Sequence, residues 1–307
     1  MGILVGTAAI LSSMPACSRS STLAQSQKPA AAPLEFIGAW GVKGAGPGQL
    51  DQPVSIATDS VGNVYIADAG SAFVHKFSPQ GEGLLSFQEN GLKQPGWITL
   101  DSGGAIYVTD PVRISLFVFL PNGDRYRTIR LKARPDSENE LSVCVDADGR
   151  IHILDPSTGK IFLYSSRFRL AQVWQLPVSA DGSRNHFGSI VAAPDSSIYV
   201  SDLSSNRIFL LNNSGHVISA INREQKEAGR DIAREFAATN KYLFSMDAEG
   251  LVLHVWTTDG NPKLDVDLAP QLGQAHRLPP PVTVSPRGEL LVLDAPEARV
   301  LRYRINF

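Results

Sequence analysis

From Leu34 onward the chain is written in short apolar stretches of five or six residues, parted by clusters of Gly, Pro, Asn, Asp and Ser. Gln49 to Phe87 shows the unit. VSIAT is followed by a turn at residues 59–63, then by VYIAD ending on Asp68. FVHKF, a Ser-Pro-Gln-Gly turn and GLLSF complete it. Each stretch is β-branched or aromatic and bounded by turn formers, so each reads as a strand. LFVFL (Leu116 to Leu120) and IFLL (Ile208 to Leu211) are apolar throughout, as strands buried on both sides are. Helical repeats of similar length would need three-and-four apolar spacing over ten or more residues, and these segments lack it.

The unit recurs. Aligned on the aspartate that ends each second strand, the copies are YIAD at Asp68, YVTD at Asp110, HILD at Asp155, YVSD at Asp202, FSMD at Asp247 and LVLD at Asp294. The intervals are 42, 45, 47, 45 and 47 residues. Six residues before these aspartates stand Gly62, Gly104, Gly149, Ser196, Lys241 and Gly288; nine before stand Asp59, Asp101, Asp146, Ala193, Ala238 and Ser285. The match is strong in the first three copies and fades in the fifth. Four strands per copy with a period in the forties predicts an all-β fold, a β-propeller of six four-stranded blades. The sixth copy has three strands before Phe307, and an unpaired strand, Leu34 to Trp40, precedes the first. Adding it to blade six completes that blade and removes an open sheet edge.

PVSIATDSVGNVYIAD in copy one, with its Gly-Pro-Gly-Gln lead-in, PGWITLDSGGAIYVTD in copy two and IYVSD-LSS-NRIFLL in copy four resemble the NHL repeat. The resemblance covers residues 34–307 and implies a six-bladed propeller. It implies no single activity: such propellers serve as binding modules, sensor domains, lyases and lactonase-like enzymes.

The N-terminus changes the picture of where the domain works. Residues 1–17 read as a signal peptide: the apolar run from Ile3 to Leu11 is too short to span a bilayer but suits a signal core. Its end, Met14-Pro-Ala-Cys17, resembles a bacterial lipobox, in which the cysteine is lipidated. Cleavage after Thr22-Leu-Ala24 is the other reading. Residues 18–33, rich in Ser, Ala, Gln and Pro, read as a flexible tether. The expected location is the cell envelope, lipid-anchored to a bacterial membrane. Net charge −2 gives no whole-chain argument for nucleic acid or anionic membranes, and two cysteines make no disulfide framework.

Candidate chemistry divides into what recurs and what does not. The six blade aspartates recur, so they read as acceptors of backbone N–H groups in neighbouring turns. Arg207, Arg299 and Lys160, each five residues past a blade aspartate, read as its partners. Cys144 reads as a buried thiol and His152 as a packed strand residue in the place of Tyr65, Tyr107 and Tyr199. Trp97, in place of small Ser55, Ser142 and Ser189, reads as a channel residue. Arg113, His186, Arg230, Glu235, His276 and Arg277 break the pattern of their own positions. Most fall at inner-strand starts, the mouth where the resemblance places the sites of NHL-type enzymes. Three arginines suit an acidic group on a ligand. His186 and His276 without a third ligand make a poor zinc site.

The leading expectation is a monomeric, non-catalytic module binding a protein, a peptide or a small acidic ligand on its channel face. It carries no cofactor and meets the membrane only through its N-terminal lipid. The rival is a lyase or lactone hydrolase assisted by Ca²⁺ or Zn²⁺ in the channel. A third class, an RNA-binding propeller, needs a large basic face and is disfavoured by export.

Overall fold

A computed structural model describes residue 2 and residues 32–132, 141–177, 186–222, 232–247, 251–273 and 279–307; of residue 222 and of residues 232–235 it describes the backbone alone. Pro33–Phe307 forms one unit, and Cys17 with nearly all of the expected leader and tether lies outside the described residues.

The strands follow the expected order. β1 (Leu34–Trp40) comes first. Blade one is β2 (Pro53–Thr58), β3 (Val64–Asp68), β4 (Phe73–Phe77) and β5 (Gly83–Phe87). Blade two is β6 (Ile98–Leu100), β7 (Ile106–Asp110), β8 (Ser115–Phe119) and β9 (Arg125–Arg130). Blade three is β10 (Ser142–Val145), β11 (Ile151–Asp155), β12 (Lys160–Tyr164) and β13 (Leu170–Gln175). Blade four is β14 (Phe187–Ala192), β15 (Ile198–Asp202), β16 (Arg207–Leu211) and β17 (Val217–Asn222). Blade five is β18 (Ile232–Ala238), β19 (Tyr242–Asp247), β20 (Val252–Thr257) and β21 (Pro262–Asp267). After a single helical turn, α1 (Ala269–Leu272), blade six holds β22 (Val282–Val284), β23 (Glu289–Asp294) and β24 (Arg299–Ile305).

Each blade is an antiparallel sheet in sequence order, except the last, ordered β1-β24-β23-β22. The N-terminal strand thus closes the ring. It pairs from Leu34↔Ile305 to Trp40↔Val300, with a bulge between Phe36 and Gly38. Glu35 meets Arg304 at 2.8 Å, and the Trp40 ring packs on Phe77 of blade one at 4.9 Å.

The apolar pattern explains the stacking. β3, β7, β11 and β15 are buried at all five positions because a blade covers each face. Among the described residues, buried side chains fall into six clusters, each spanning two consecutive blades. The cluster of Leu50, Ile56, Ile66 and Phe77 with Leu291, Leu293 and Val300 joins blade one to blade six. Hydroxyls add direction to this adhesion. Ile98 N–H, on the free edge of blade two, donates to Ser55 Oγ of blade one at 3.2 Å. Ile190 N–H donates likewise to Ser142 Oγ at 3.1 Å, and Thr109 Oγ1 donates to the Leu141 carbonyl at 3.2 Å.

The recurring aspartates are buried and do repeated structural work. Asp68 accepts the amides of Asp51 (2.7 Å), Gln52 (3.0 Å), Gly70 (3.0 Å) and Ser71 (3.1 Å). Asp110 accepts those of Lys93 and Arg113, and Asp247 those of Leu251 and Val252. Asp294 takes the Arg299 guanidinium at 2.7 Å, and Asp202 lies 3.7 Å from that of Arg207. At the offset six residues earlier, Gly62, Gly104, Gly149 and Gly288 have positive φ, and Ser196 adopts φ 66° in the same turn.

Candidate functional site: the central channel

The six inner strands β2, β6, β10, β14, β18 and β22 are each the edge of a sheet and neighbour one another around the ring. They enclose a cavity of about 660 Å³. Ile56, Ile98, Val143, Ile190, Ala237 and Val282 contribute one from each strand, and Trp97 joins them as expected of a channel residue. The cavity occupies the end of the channel at which the inner strands finish. The hairpin turns following those strands form its mouth, with Asp59, Ser60, Ser102, Asp146, Asn240 and Pro286. This is the mouth opposite to the inner-strand starts.

The carboxylates at this mouth are engaged by their own hairpins. Asp59 accepts the amides of Val61 (3.1 Å) and Asn63 (2.8 Å), the Asn63 side-chain amide (2.8 Å) and the Tyr65 hydroxyl (3.3 Å). Burial beside Asp59 pushes the Tyr65 phenol far above its ordinary value. Asp101 does the same with Gly103, Ala105 and Tyr107. In blade three His152 stands in the tyrosine's place, as the repeat alignment indicated. Its Nε2 donates to Asp146 at 2.9 Å, where Arg150 Nε also donates at 2.7 Å. Burial pushes the Asp146 carboxyl up, but hydrogen bonds from His152 and Arg150 outweigh it and hold it below the ordinary value. Cys144 is a free thiol packed in the seam between blades three and four, and burial raises its pKa well above normal.

Of the six irregular residues, two have described side chains. Arg113 is exposed in the turn after β7, its amide capping Asp110 at 3.0 Å. His186 is exposed just before β14, its amide donating to Ser204 Oγ at 2.6 Å. They stand on the strand-start side of blades two and four, with blade three between them. Arg230, His276 and Arg277 lie outside the described residues, and Glu235 is described only through the backbone of β18. Among the described residues, no group of three or more His, Cys, Asp and Glu is arranged to hold a metal ion.

The alignment on the aspartates missed two buried histidines that share one repeat position. His75 and His254 each follow their blade aspartate by seven residues, where Phe117, Phe162 and Phe209 stand in blades two to four. Each meets a polar partner on the outer strand: His75 Nδ1 lies 2.8 Å from Ser86 Oγ, and His254 Nδ1 lies 2.6 Å from Asp265. The signal was present in the exchange of aromatic for His, with Ser86 and Asp265 across from the histidines where Val173 and Ala220 face Phe162 and Phe209.

Comparison with known proteins agrees with this geometry. The beta-propeller repeat family SBBP matches residues 37–67, from β1 into blade one. A streptogramin B lyase structure superposes with TM-score 0.64 at 13% identity, covering 89% of this chain and 98% of that one. The chain is a six-bladed β-propeller. Selenomethionine-substituted virginiamycin B lyase from Staphylococcus aureus matches with TM-score 0.59 and 12% identity over 89% of each chain. A catalytically inactive histidine-to-alanine variant of that lyase, with quinupristin, matches with TM-score 0.59 and 13% identity over 88% of this chain and 89% of that one. At such identities the likeness is one of fold. No curated protein matches the chain.

Proposed function

We propose that this chain is a non-catalytic, NHL-type binding propeller, exported and held at a bacterial membrane through a lipid on Cys17, that captures its ligand in the central channel. The observation carrying this reading is the cavity: about 660 Å³, walled by all six inner strands. That is the size of a small-molecule site. The carboxylates at its mouth have their acceptor sites filled by backbone amides and neighbouring side chains, which suits a wall better than a general base. The ligand class is a peptide or small molecule bearing an acidic group. The expected partners of that group are Arg113, Arg230 and Arg277 with His186, Glu235 and His276; of these, Arg113 and His186 are described, on the strand-start side, across the channel from the cavity's hairpin mouth.

The test is capture of acidic peptides by the purified protein. Arg230→Ala with Arg277→Ala abolishes capture with little change in melting temperature. Capture that survives this pair but is lost in Ser60→Trp with Ser102→Trp moves the site to the hairpin mouth and refutes the arginine assignment. For the anchor, Cys17→Ala releases the protein from membranes or blocks its processing. A soluble wild-type protein beginning at Gln25 decides for ordinary cleavage.

The likeness to streptogramin B lyase at TM-score 0.64 favours a second reading, a lyase working in the channel. In that case Ca²⁺ or Zn²⁺ would assist in the central channel, though no metal-binding group of His, Cys, Asp and Glu stands among the described residues. Incubation with quinupristin, followed by mass spectrometry and metal analysis of the protein, tests it. Unchanged quinupristin and no bound metal reject the reading.

A further inference from the structure

Thirteen residues past the blade aspartates, the turn into each outer strand carries Gly81, Gly123, Gly215 and Gly260, with φ of 92°, 87°, 80° and 93°. Blade three has Phe168 there, at φ 62°. A bulky aromatic in the left-handed region is a strained choice, and strain of this kind clusters where a surface has work to do. In the glycine turns a Cβ would run into a large side chain of the preceding blade: Trp40 at 2.3 Å, Phe87 at 2.9 Å, Trp174 at 2.2 Å or Ile221 at 3.2 Å. At the seam of blades two and three the turn itself supplies the large side chain. Its ring lies 5.9 Å from that of Tyr126 and 5.1 Å from the Arg127 guanidinium, both on β9.

The surroundings are basic. Arg167 and Arg169 flank Phe168, and both are exposed, as are Arg127 and Arg130 on β9. Tyr126 is 58% exposed. Residues 125–132 (RYRTIRLK) and 165–177 (SSRFRLAQVWQLP) contain no carboxylate. Among the described residues, Arg125 is drawn off into an ion pair with Glu89 at 2.8 Å, and the other arginines of the two stretches have no carboxylate partner. Protection of an exposed strand edge does not account for these charges, because the outer strands β5, β13 and β17 have no Lys or Arg at all.

We propose that this seam (Tyr126, Arg127, Arg167, Phe168 and Arg169) is a docking surface for anionic lipid headgroups, a second membrane contact beside the N-terminal lipid. Arginine forks pair with headgroup phosphates, and amphipathic aromatic rings settle at the headgroup level. The position fits. β1 and β9 are the outermost strands of their blades and enter their sheets from the same side, so Leu34 and Arg125 start on one face of the ring. Leu34 directly follows the stretch that the anchor reading makes a tether, and the inference rests on that reading for its choice of a membrane over an acidic protein. Basic side chains close to an anchored N-terminus add electrostatic attraction to an anionic leaflet.

The test uses the full chain carrying Cys17→Ala, so that success or failure of lipidation does not enter; the mass of membrane-extracted wild-type protein reads lipidation separately. Sedimentation is measured with phosphatidylcholine vesicles and with vesicles that also contain phosphatidylglycerol. The protein binds the anionic vesicles preferentially, and added salt weakens that preference. Arg127→Gln, Arg167→Gln and Arg169→Gln together lower the anionic partition coefficient by roughly a hundredfold, about fivefold per charge. Lys241→Gln with Lys263→Gln on blade five leaves it unchanged. Equal binding to both vesicle types, an equal loss in the blade-five control, or capture of polyglutamate or inorganic phosphate without vesicle binding would each overturn the proposal.

Discussion

Ser55 Oγ accepts the Ile98 amide across the boundary between blades one and two, at 3.2 Å. Ile98 sits on a strand with a single hydrogen-bonded neighbour, so its inward amide has no partner within its own sheet. Ser55→Ala leaves that buried amide unsatisfied and lowers stability by about 1–3 kcal/mol. Ser142→Ala does the same for Ile190, and because the two seams are separate the losses add. Urea unfolding of the two single variants and the double variant checks this; unchanged midpoints show that the hydroxyls do not hold the blades.

Removal of β1 opens blade six. The strand carries a full ladder to β24 and places Trp40 against Phe77. A chain starting at Gly41 loses several buried apolar contacts, about 3–6 kcal/mol at 1.5–3 kcal/mol per large side chain. It also exposes the edge of β24 to other chains. A thermal melt equal to that of the full chain contradicts closure by this strand.

His75 makes stability depend on pH in the weakly acidic range. It is fully buried, and burial holds its imidazole below the ordinary value, with Asp68 opposing in part. In the unfolded chain it protonates near its ordinary pKa of about 6.5. The neutral folded ring therefore confers its full stability above that pH and loses it as pH falls toward the lower folded value. His75→Phe matches the residue type at Phe117, Phe162 and Phe209 and flattens this limb. The difference in urea midpoint between about pH 7.5 and about pH 5.5 shrinks in the variant; an unchanged difference assigns the limb to other groups.

His152→Tyr restores in blade three the phenol–carboxylate pair seen as Tyr65–Asp59 and Tyr107–Asp101. It changes stability by less than about 1 kcal/mol. His152→Ala strips a buried partner from Asp146 and leaves a void beside Trp174, lowering stability by about 2–4 kcal/mol. The depressed Asp146 carboxyl adds an acid limb of its own. Its contribution is complete above the ordinary carboxylate value of about 3.9 and disappears as pH falls through the lower folded value. Calorimetric melts of both variants, near neutrality and in acid, separate the two effects.

The repeated features were legible because their causes are local. Asp68 caps amides of its own blade, Asp59 closes its own hairpin, and the glycine six residues before four of the six aspartates meets a dihedral demand within one turn. A one-dimensional pattern carries such information completely. The Ser55 and Ser142 hydroxyls were visible only as small residues, and that of Thr109 not at all, since their partners lie on the next blade, 32 to 48 residues away. Phe168 could have been found by carrying the alignment thirteen residues past each aspartate, where four glycines set it apart.

By itself, the sequence determined the number of blades, the strands within them, the closing role of Leu34 to Trp40 and the structural duty of the aspartates. Each of these follows from a periodic apolar pattern and from turn chemistry confined to a few neighbouring residues. Only the tertiary structure decided that the cavity occupies the hairpin end of the channel, and that Tyr126 and Arg127 of one blade meet Phe168 of the next. Those facts depend on how six sheets pack around an axis. Packing joins residues that are distant in the chain through shape and close contact, and neither leaves a period in the sequence.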